Sequence, residues 1–173
     1  MLRRFADKVR VIPIGLDDAD YRPSTDADRQ RWRERIGSRF LLFVGVMRYY
    51  KGVSYLLEAL AGTPVRLVLV GAGPMEAEYR AQADRLGLDN VTFLGRQSEQ
   101  DKRTLLELCD GFVFPSHLRS ESFGVSLLEA ARYGKPLVSC EIGTGTTFVN
   151  VDDETGIVVP PADPGALRAA MLR

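Results

Sequence analysis

Short runs that are apolar at nearly every position recur along the chain, separated by longer stretches of mixed polarity. They are RVIPIG at 10–15, FLLFVG at 40–45, VRLVLVG at 65–71, VTFLG at 91–95, GFVFP at 111–115, PLVSC at 136–140 and GIVVP at 156–160. Continuous apolarity over four to six residues marks strands covered on both faces, the signature of a parallel sheet between two layers of helices. The intervening segments predict helices over Val53–Leu60, Pro74–Leu86, Gln97–Cys109, Val125–Tyr133 and Pro164–Leu172. Pro74 and Pro164 suit a first helical turn, and Gly87 and Gly134 suit the left-handed position just past a helix end. The alternation predicts an α/β fold, a Rossmann-like parallel sheet flanked by helices.

The stretch 16–39, with LDDADYRPSTDADRQRWRER, is polar and reads as a linker or outer excursion leading into a helix, so residues 1–39 are expected to be the entry to a single domain covering 1–173. Trp32 is expected to pack this excursion onto the core, and Met47 to be core. The chain stops at MLR inside its last predicted helix, and the expectation is a piece of a longer protein.

The length, 173 residues, fits one domain of ordinary size. Lys plus Arg number 23 and Asp plus Glu 23, so the net charge is zero, and no broad basic surface for nucleic acid is expected. No apolar run approaches the roughly 20 residues that cross a bilayer, and MLRRFADKVR lacks the apolar segment of a secretory leader. Two distant cysteines, Cys109 and Cys140, read as reduced core thiols, and His117 is the sole histidine. A metal cluster built on Cys or His is therefore disfavoured, and the expected setting is the cytoplasm.

In doubly wound sheets ligands sit at the carboxyl ends of the strands, which directs attention to the loops that leave a strand and open a helix. The first is Gly45-Val46-Met47-Arg48-Tyr49-Tyr50-Lys51-Gly52. Two cations before a helix start suit a diphosphate, although an ordinary glycine turn with solvated Arg48 and Lys51 has the same composition. The loop Gly71-Ala72-Gly73-Pro74 begins like a dinucleotide fingerprint, but Glu76 stands where the third glycine belongs, which disfavours NAD. The third is Ser120-Glu121-Ser122-Phe123-Gly124-Val125-Ser126-Leu127-Leu128-Glu129. A helix starting near Gly124 turns free N–H groups toward the crevice, with Glu121 before it and Glu129 in its second turn. Acids beside an anion site make acceptors for sugar hydroxyls, whereas a first-turn acid and a solvated helix face are the plainer account.

The pair Glu121-x7-Glu129 within ESFGVSLLEAARYGKP, preceded by GVMRYYKG and followed by TGIVVPPADP, resembles glycosyltransferase family 4, retaining enzymes of the GT-B fold. The resemblance covers nearly the whole chain, with VIPIGLD similar to the linker into the C-terminal, donor-binding lobe. It implies a nucleotide-diphosphate sugar as donor, with Arg48 and Lys51 on the diphosphate and Gly45, Ser122, Phe123, Gly124 and Val125 alongside. It further implies Glu129 on the ribose, Glu121 on the transferred sugar, and Arg96 and Gln97 near the base. Glu121, Arg48 and Lys51 are the candidate catalytic residues. No metal or cofactor is expected, and the saccharide or lipid-linked acceptor is expected to be held chiefly by an N-terminal lobe, with peripheral membrane association of the full-length protein left open.

The segment Glu141-Ile142-Gly143-Thr144-Gly145-Thr146 departs from the Gly-Gly-x-Pro-Glu of many members and resembles a subgroup using GDP-mannose or a related GDP-sugar in bacterial surface polysaccharide assembly. Gly143 to Thr146 are expected to line the sugar pocket or to form a polar loop. His117 and Arg119 read as rim residues near the donor, and Tyr49 and Tyr50 as stacking or lobe-interface aromatics. Two other functions fit the same pattern: a GT-B sugar-nucleotide epimerase, and a non-enzymatic flavodoxin-like interaction domain.

Overall fold

A computed structural model of the chain describes Lys8, Arg10 and residues 12–173. Six parallel strands make one sheet: β1 (Leu41–Val44), β2 (Leu67–Val70), β3 (Val91–Gly95), β4 (Gly111–Phe114), β5 (Leu137–Cys140) and β6 (Gly156–Val159). Their order is β3-β2-β1-β4-β5-β6. This is the doubly wound order of dinucleotide-binding folds and not the flavodoxin order, so the flavodoxin-like alternative is corrected at the level of topology. The order reverses between β1 and β4, which pair through Leu41 with Gly111 and Leu42 with Phe112.

Strand side chains alternate between two apolar layers. Phe43, Leu67, Leu69, Val113, Val138 and Cys140 face α2 (Val53–Leu60), α3 (Glu76–Arg85) and α7 (Pro164–Leu172). Leu42, Val44, Val68, Val70, Phe112, Phe114 and Leu137 face α1 (Asp26–Ile36), α4 (Glu99–Leu108) and α5 (Val125–Arg132). Burial on both faces explains why the runs lack polar positions. Cys109 and Cys140 are buried and free, as expected, and burial pushes both thiols up to about 12.

The predicted strand RVIPIG at 10–15 is not seen in its described residues. Val11 lies outside the described residues, while Arg10 and residues 12–15 carry no strand, with Ile12 80% and Ile14 52% exposed. Pro13 offers no N–H to a neighbouring strand, so the apolar residues around it lack a full ladder to join. Nor is 141–148 purely loop: a single helical turn, α6 (Thr146–Val149), closes it. Helix α3 begins after Pro74 with Met75 as its cap residue, whereas Pro164 does occupy the first turn of α7.

The polar excursion leads into α1 as anticipated. Thr25 caps it by accepting from the Asp28 N–H at 3.1 Å, and Trp32 and Ile36, one turn apart, are its buried positions. The Trp32 indole donates to Asp101 of α4 at 2.9 Å. The segment before α1 lies against α4 and α5: Ser24 shares a buried hydrogen bond of 2.8 Å with Thr104, and Asp18 pairs with Arg132 at 2.9 Å.

Candidate active site

The loops after β1 and β4 flank the point where strand order reverses, so the crevice between them is the place this topology prepares for a ligand. Gly52 ends a short 3-10 turn, Tyr49–Lys51, and starts α2 with φ +71. A Cβ at Gly52 would lie 2.0 Å from the Pro115 carbonyl oxygen, so only glycine lets the β1 loop lie this close to the β4 loop. His117 N–H then donates to the Tyr50 carbonyl at 3.0 Å, locking the two loops together.

Across this junction Lys51 Nζ is ion-paired and hydrogen-bonded to Glu121 Oε2. Both side chains are largely withdrawn from water, 12% and 11% exposed. Ser116 donates to the same carboxylate oxygen at 3.1 Å, and the Lys51 ammonium lies 5.0 Å from the Phe114 ring and 5.5 Å from that of Tyr50. Two residues singled out separately in the sequence thus form one unit.

Gly124, at φ +88, precedes the first residue of α5, so the helix starts where expected. Its first N–H groups have no intrahelical acceptor by position, and they carry the positive end of the helix dipole. Ser126 Oγ donates to the Val44 carbonyl at 2.9 Å, tying this first turn to the end of β1. Ser122 accepts from the Gly145 N–H at 2.9 Å, and Phe123 lies against Phe148 with ring centroids 6.4 Å apart. Val125 is exposed.

Two cavities open at this end of the sheet. One of about 410 Å³, at the ends of β1 to β3, is lined by Gly45, Gly71, Ala72, Arg96, Gln97 and Lys102 among others. The other, about 520 Å³, contains Arg48, Tyr49, Tyr50, Met75 and Ser120. Gly45, Arg96 and Gln97 therefore share one chamber, with the Gln97 amide donating to the Leu94 carbonyl at 2.7 Å. Arg48 shares the other chamber with the start of the glutamate loop. The tight turn anticipated near 71–74 falls at 73–76, where the Glu76 N–H donates to the Gly73 carbonyl at 3.1 Å, and the Ala72 carbonyl before it accepts from the Met47 N–H at 3.1 Å.

Glu129 is 6% exposed and carries partners that sequence reasoning does not single out. Lys102 of α4 donates to its Oε1 at 2.8 Å, and the Tyr21 hydroxyl donates to the same oxygen at 3.0 Å. Lys102 also pairs with Glu99 at 2.7 Å, three residues earlier, and itself lines the 410 Å³ cavity. Burial lowers the Lys102 pKa, but the bonds and charges of Glu129 and Glu99 outweigh it and the net shift is upward. The Glu99–Lys102 spacing was a legible helix pair; the reach from α4 to α5 was not.

Arg119 is spent on structure: its guanidinium donates to the Gly143 carbonyl at 2.7 Å, fastening the glutamate loop to the segment after β5. His117 lies edge-on to Tyr55 at 5.1 Å with its Nδ1 buried and unpartnered among the described residues, and burial lowers its pKa. Among the described residues no group of three or more His, Cys, Asp or Glu is placed to hold a metal ion, and no helix is long and apolar enough to cross a membrane.

The family model described as "Glycosyl transferases group 1" matches residues 24–173. The D-rhamnosyltransferase WbpZ of Pseudomonas aeruginosa is 57% identical over 171 residues, an alignment covering 99% of this chain and 45% of that protein. The O-antigen chain mannosyltransferase C of Escherichia coli is 51% identical over 173 residues, covering 98% and 46%. The chain thus spans about half the length of these curated relatives. Among solved structures, Anabaena HepE in complex with UDP-glucose superposes with a TM-score of 0.83 at 28% identity, over 96% of this chain and 48% of that one. WaaG, a glycosyltransferase involved in lipopolysaccharide biosynthesis, shares the fold at a TM-score of 0.75 and 24% identity, over 96% and 48%.

Proposed function

The chain belongs to the group 1 glycosyl transferases of the GT-B fold, and from that premise we propose that it is the donor-binding lobe of a retaining hexosyltransferase, with a nucleotide-diphosphate sugar seated across the β1/β4 junction. The observation that carries this reading is the Lys51–Glu121 pair, which sets a cation and a carboxylate against each other beside the free N–H groups of α5. A diphosphate arriving there gains Lys51, Arg48 and the helix N-terminus as donors. The transferred sugar, one bond further on, meets Glu121. Glu129 takes the ribose hydroxyls, and the base occupies the chamber of Gly45, Arg96 and Gln97.

In the reaction the bond between the anomeric carbon and the diphosphate oxygen breaks as an acceptor hydroxyl attacks from the same face. The acceptor proton passes to the departing diphosphate. Charge builds on that diphosphate, and each preorganised donor facing it contributes about 3 to 4 kcal/mol to the transition state. Glu121 positions the sugar and steadies positive charge at the anomeric carbon. We further propose that this needs no divalent metal, for which unchanged transfer in EDTA is the check.

The donor reading is a GDP-sugar of D-manno configuration. D-rhamnose is 6-deoxy-D-mannose, so the names of the two close relatives describe hexoses alike at every ring stereocentre. A UDP-sugar is the second reading, favoured by the UDP-glucose in HepE. The acceptor is a growing saccharide of the O-antigen type, held mainly by an acceptor-side lobe against the exposed Val46, Tyr49, Val125 and Phe148.

Calorimetric titration with GDP, UDP and ADP tests the site. GDP is expected to bind in preference, and Lys51→Ala and Glu129→Ala each to weaken it about tenfold or more, as loss of a charged hydrogen bond predicts. Tighter UDP binding replaces the donor base alone. No binding of any nucleotide refutes the site. With the acceptor-side lobe present, the anomeric configuration of the product, read by NMR, tests retention.

A further inference from the structure

We propose that Tyr21 is a positioning residue for the nucleotide: its hydroxyl, together with Lys102, occupies Oε1 of Glu129 and leaves Oε2 as the acceptor for the ribose diol. The inference rests on the donor-site reading above and extends it to a residue of the entry segment, 108 positions away from Glu129 in sequence.

A glutamate carboxylate turns easily about its last torsion, because that sp³–sp² rotation is broad and nearly two-fold. Two donors converging on one oxygen remove that freedom. Tyr21 and Lys102 approach the same Oε1, at 3.0 and 2.8 Å, and Oε2 has no partner among the described residues. An acceptor left open in this way, on a carboxylate otherwise largely withdrawn from water, is suited to a ligand with adjacent hydroxyl donors. The carboxylate belongs to a helix whose N-terminus faces the crevice, and Lys102 lines the neighbouring cavity, so the open oxygen lies at the ligand end of the sheet.

The phenol ring is flanked by three side chains. Its ring meets Tyr133 edge-on at 6.2 Å, with the Arg132 and Arg103 guanidiniums 4.8 and 5.6 Å from its centroid. Arg132 is itself fixed by the ion pair with Asp18, from the same entry segment. Burial, with the Glu129 hydrogen bond and charge, pushes the phenol up to about 12, so it remains a donor at all ordinary pH values. A phenylalanine would fill the same ring site and keep both guanidinium contacts; the hydroxyl adds only the bond to Glu129.

That distinction sets the experiment. Affinities of the wild-type chain, Tyr21→Phe and Glu129→Gln are measured calorimetrically for GDP and UDP, and for their 2′,3′-dideoxy counterparts. The readout is the preference for the ribonucleotide, which a general loosening of the structure does not move because both nucleotides weaken together. Tyr21→Phe is expected to shrink that preference about 3- to 10-fold, as removal of one of two orienting donors to a charged acceptor would. Its affinity for the dideoxy nucleotide is expected to stay unchanged.

An unaltered preference in Tyr21→Phe, with the preference abolished in Glu129→Gln, overturns the role of Tyr21 and leaves the donor-site reading standing. An unaltered preference in both variants refutes the ribose role of Glu129 and the inference with it. Failure of the wild-type chain to bind either ribonucleotide refutes both the site and the inference.

Discussion

Replacing Lys51 by methionine separates the structural from the ligand-binding role of the central ion pair. Methionine preserves most of the length and apolar volume of the side chain, but removes the ammonium and with it the cation that lies over the Phe114 and Tyr50 rings. Glu121 is then left only 11% exposed, with the Ser116 hydroxyl at 3.1 Å as its remaining side-chain donor. Breaking a buried pair by deleting one partner costs about 3–5 kcal/mol. The retained hydroxyl and the residual exposure place this case lower, at about 2–3 kcal/mol. In a chain of 173 residues each kcal/mol shifts Tm by roughly 2–4 °C, so Lys51→Met should melt about 4–12 °C below wild type. Adding Glu121→Gln removes the stranded charge and should restore most of the loss, which a thermal and urea double-mutant cycle measures. With Lys51 in its proposed role on the diphosphate, nucleotide affinity should stay weak in the double variant. Equal Tm values for Lys51→Met and wild type would refute the burial argument. A double variant no more stable than Lys51→Met would trace the loss to packing and not to the uncompensated carboxylate.

Gly52→Ala should destabilise by about 2–4 kcal/mol in urea titration, because a side chain must adopt φ +71 with its Cβ 2.0 Å from the Pro115 oxygen. As the sole histidine, His117 gives one isolated imidazole signal in NMR, and its midpoint should fall below 6.5 because burial disfavours the cation; a midpoint above 6.5 would refute the buried Nδ1. The unfolded chain then takes up this proton first, so the histidine contributes stability that is lost as pH falls below 6.5. Cys109 and Cys140, raised by burial from 9.0 to about 12, act on the alkaline side: the unfolded thiols ionise first, so their contribution is complete below pH 9.0 and is lost between there and about 12. Cys140→Ala should flatten that alkaline decline in Tm, and neither native thiol should react with a disulfide reagent at pH 8; rapid modification would refute their burial.

The six strands were legible because each is covered on both sides, so burial leaves an uninterrupted apolar run; β3, β4 and β6 start where those runs do. The same criterion misled at 10–15, where apolar character occurs without a neighbouring strand to satisfy the backbone. Helix α1 is the opposite case: its surface is so polar that only Trp32 and Ile36 mark a buried side, which was enough to expect a helix packed through Trp32, but the indole–Asp101 bond that docks it joins distant segments and was not legible. At the site, the glycine-bounded loops and the two glutamates could be read from local spacing, but their partners could not. Lys102 and Tyr21 lie 27 and 108 positions from Glu129, and only the crossover of α4 and the return of the entry segment bring them there.

The topology also explains how a chain with zero net charge gathers unlike charges around the proposed anion site. Strands β1 to β3 with their helices through α4 form one half of the sheet, and β4 onward with α5 forms the other. Lys51 and Lys102 come from the first half, and their partners Glu121 and Glu129 from the second. Each pair crosses the line where strand order reverses, so unlike charges draw the two halves together beneath the crevice. Lys51 and Lys102 on one side, the latter shared with Glu99 of its own helix, and Glu121 and Glu129 on the other suit a molecule with phosphates and sugar hydroxyls close together. The N-terminus of α5 adds positive character where the carboxylate wall would otherwise repel the proposed diphosphate. The paired glutamates are therefore compatible with an anionic ligand because their own charge is already matched, and their unshared oxygens remain available to hydroxyl donors.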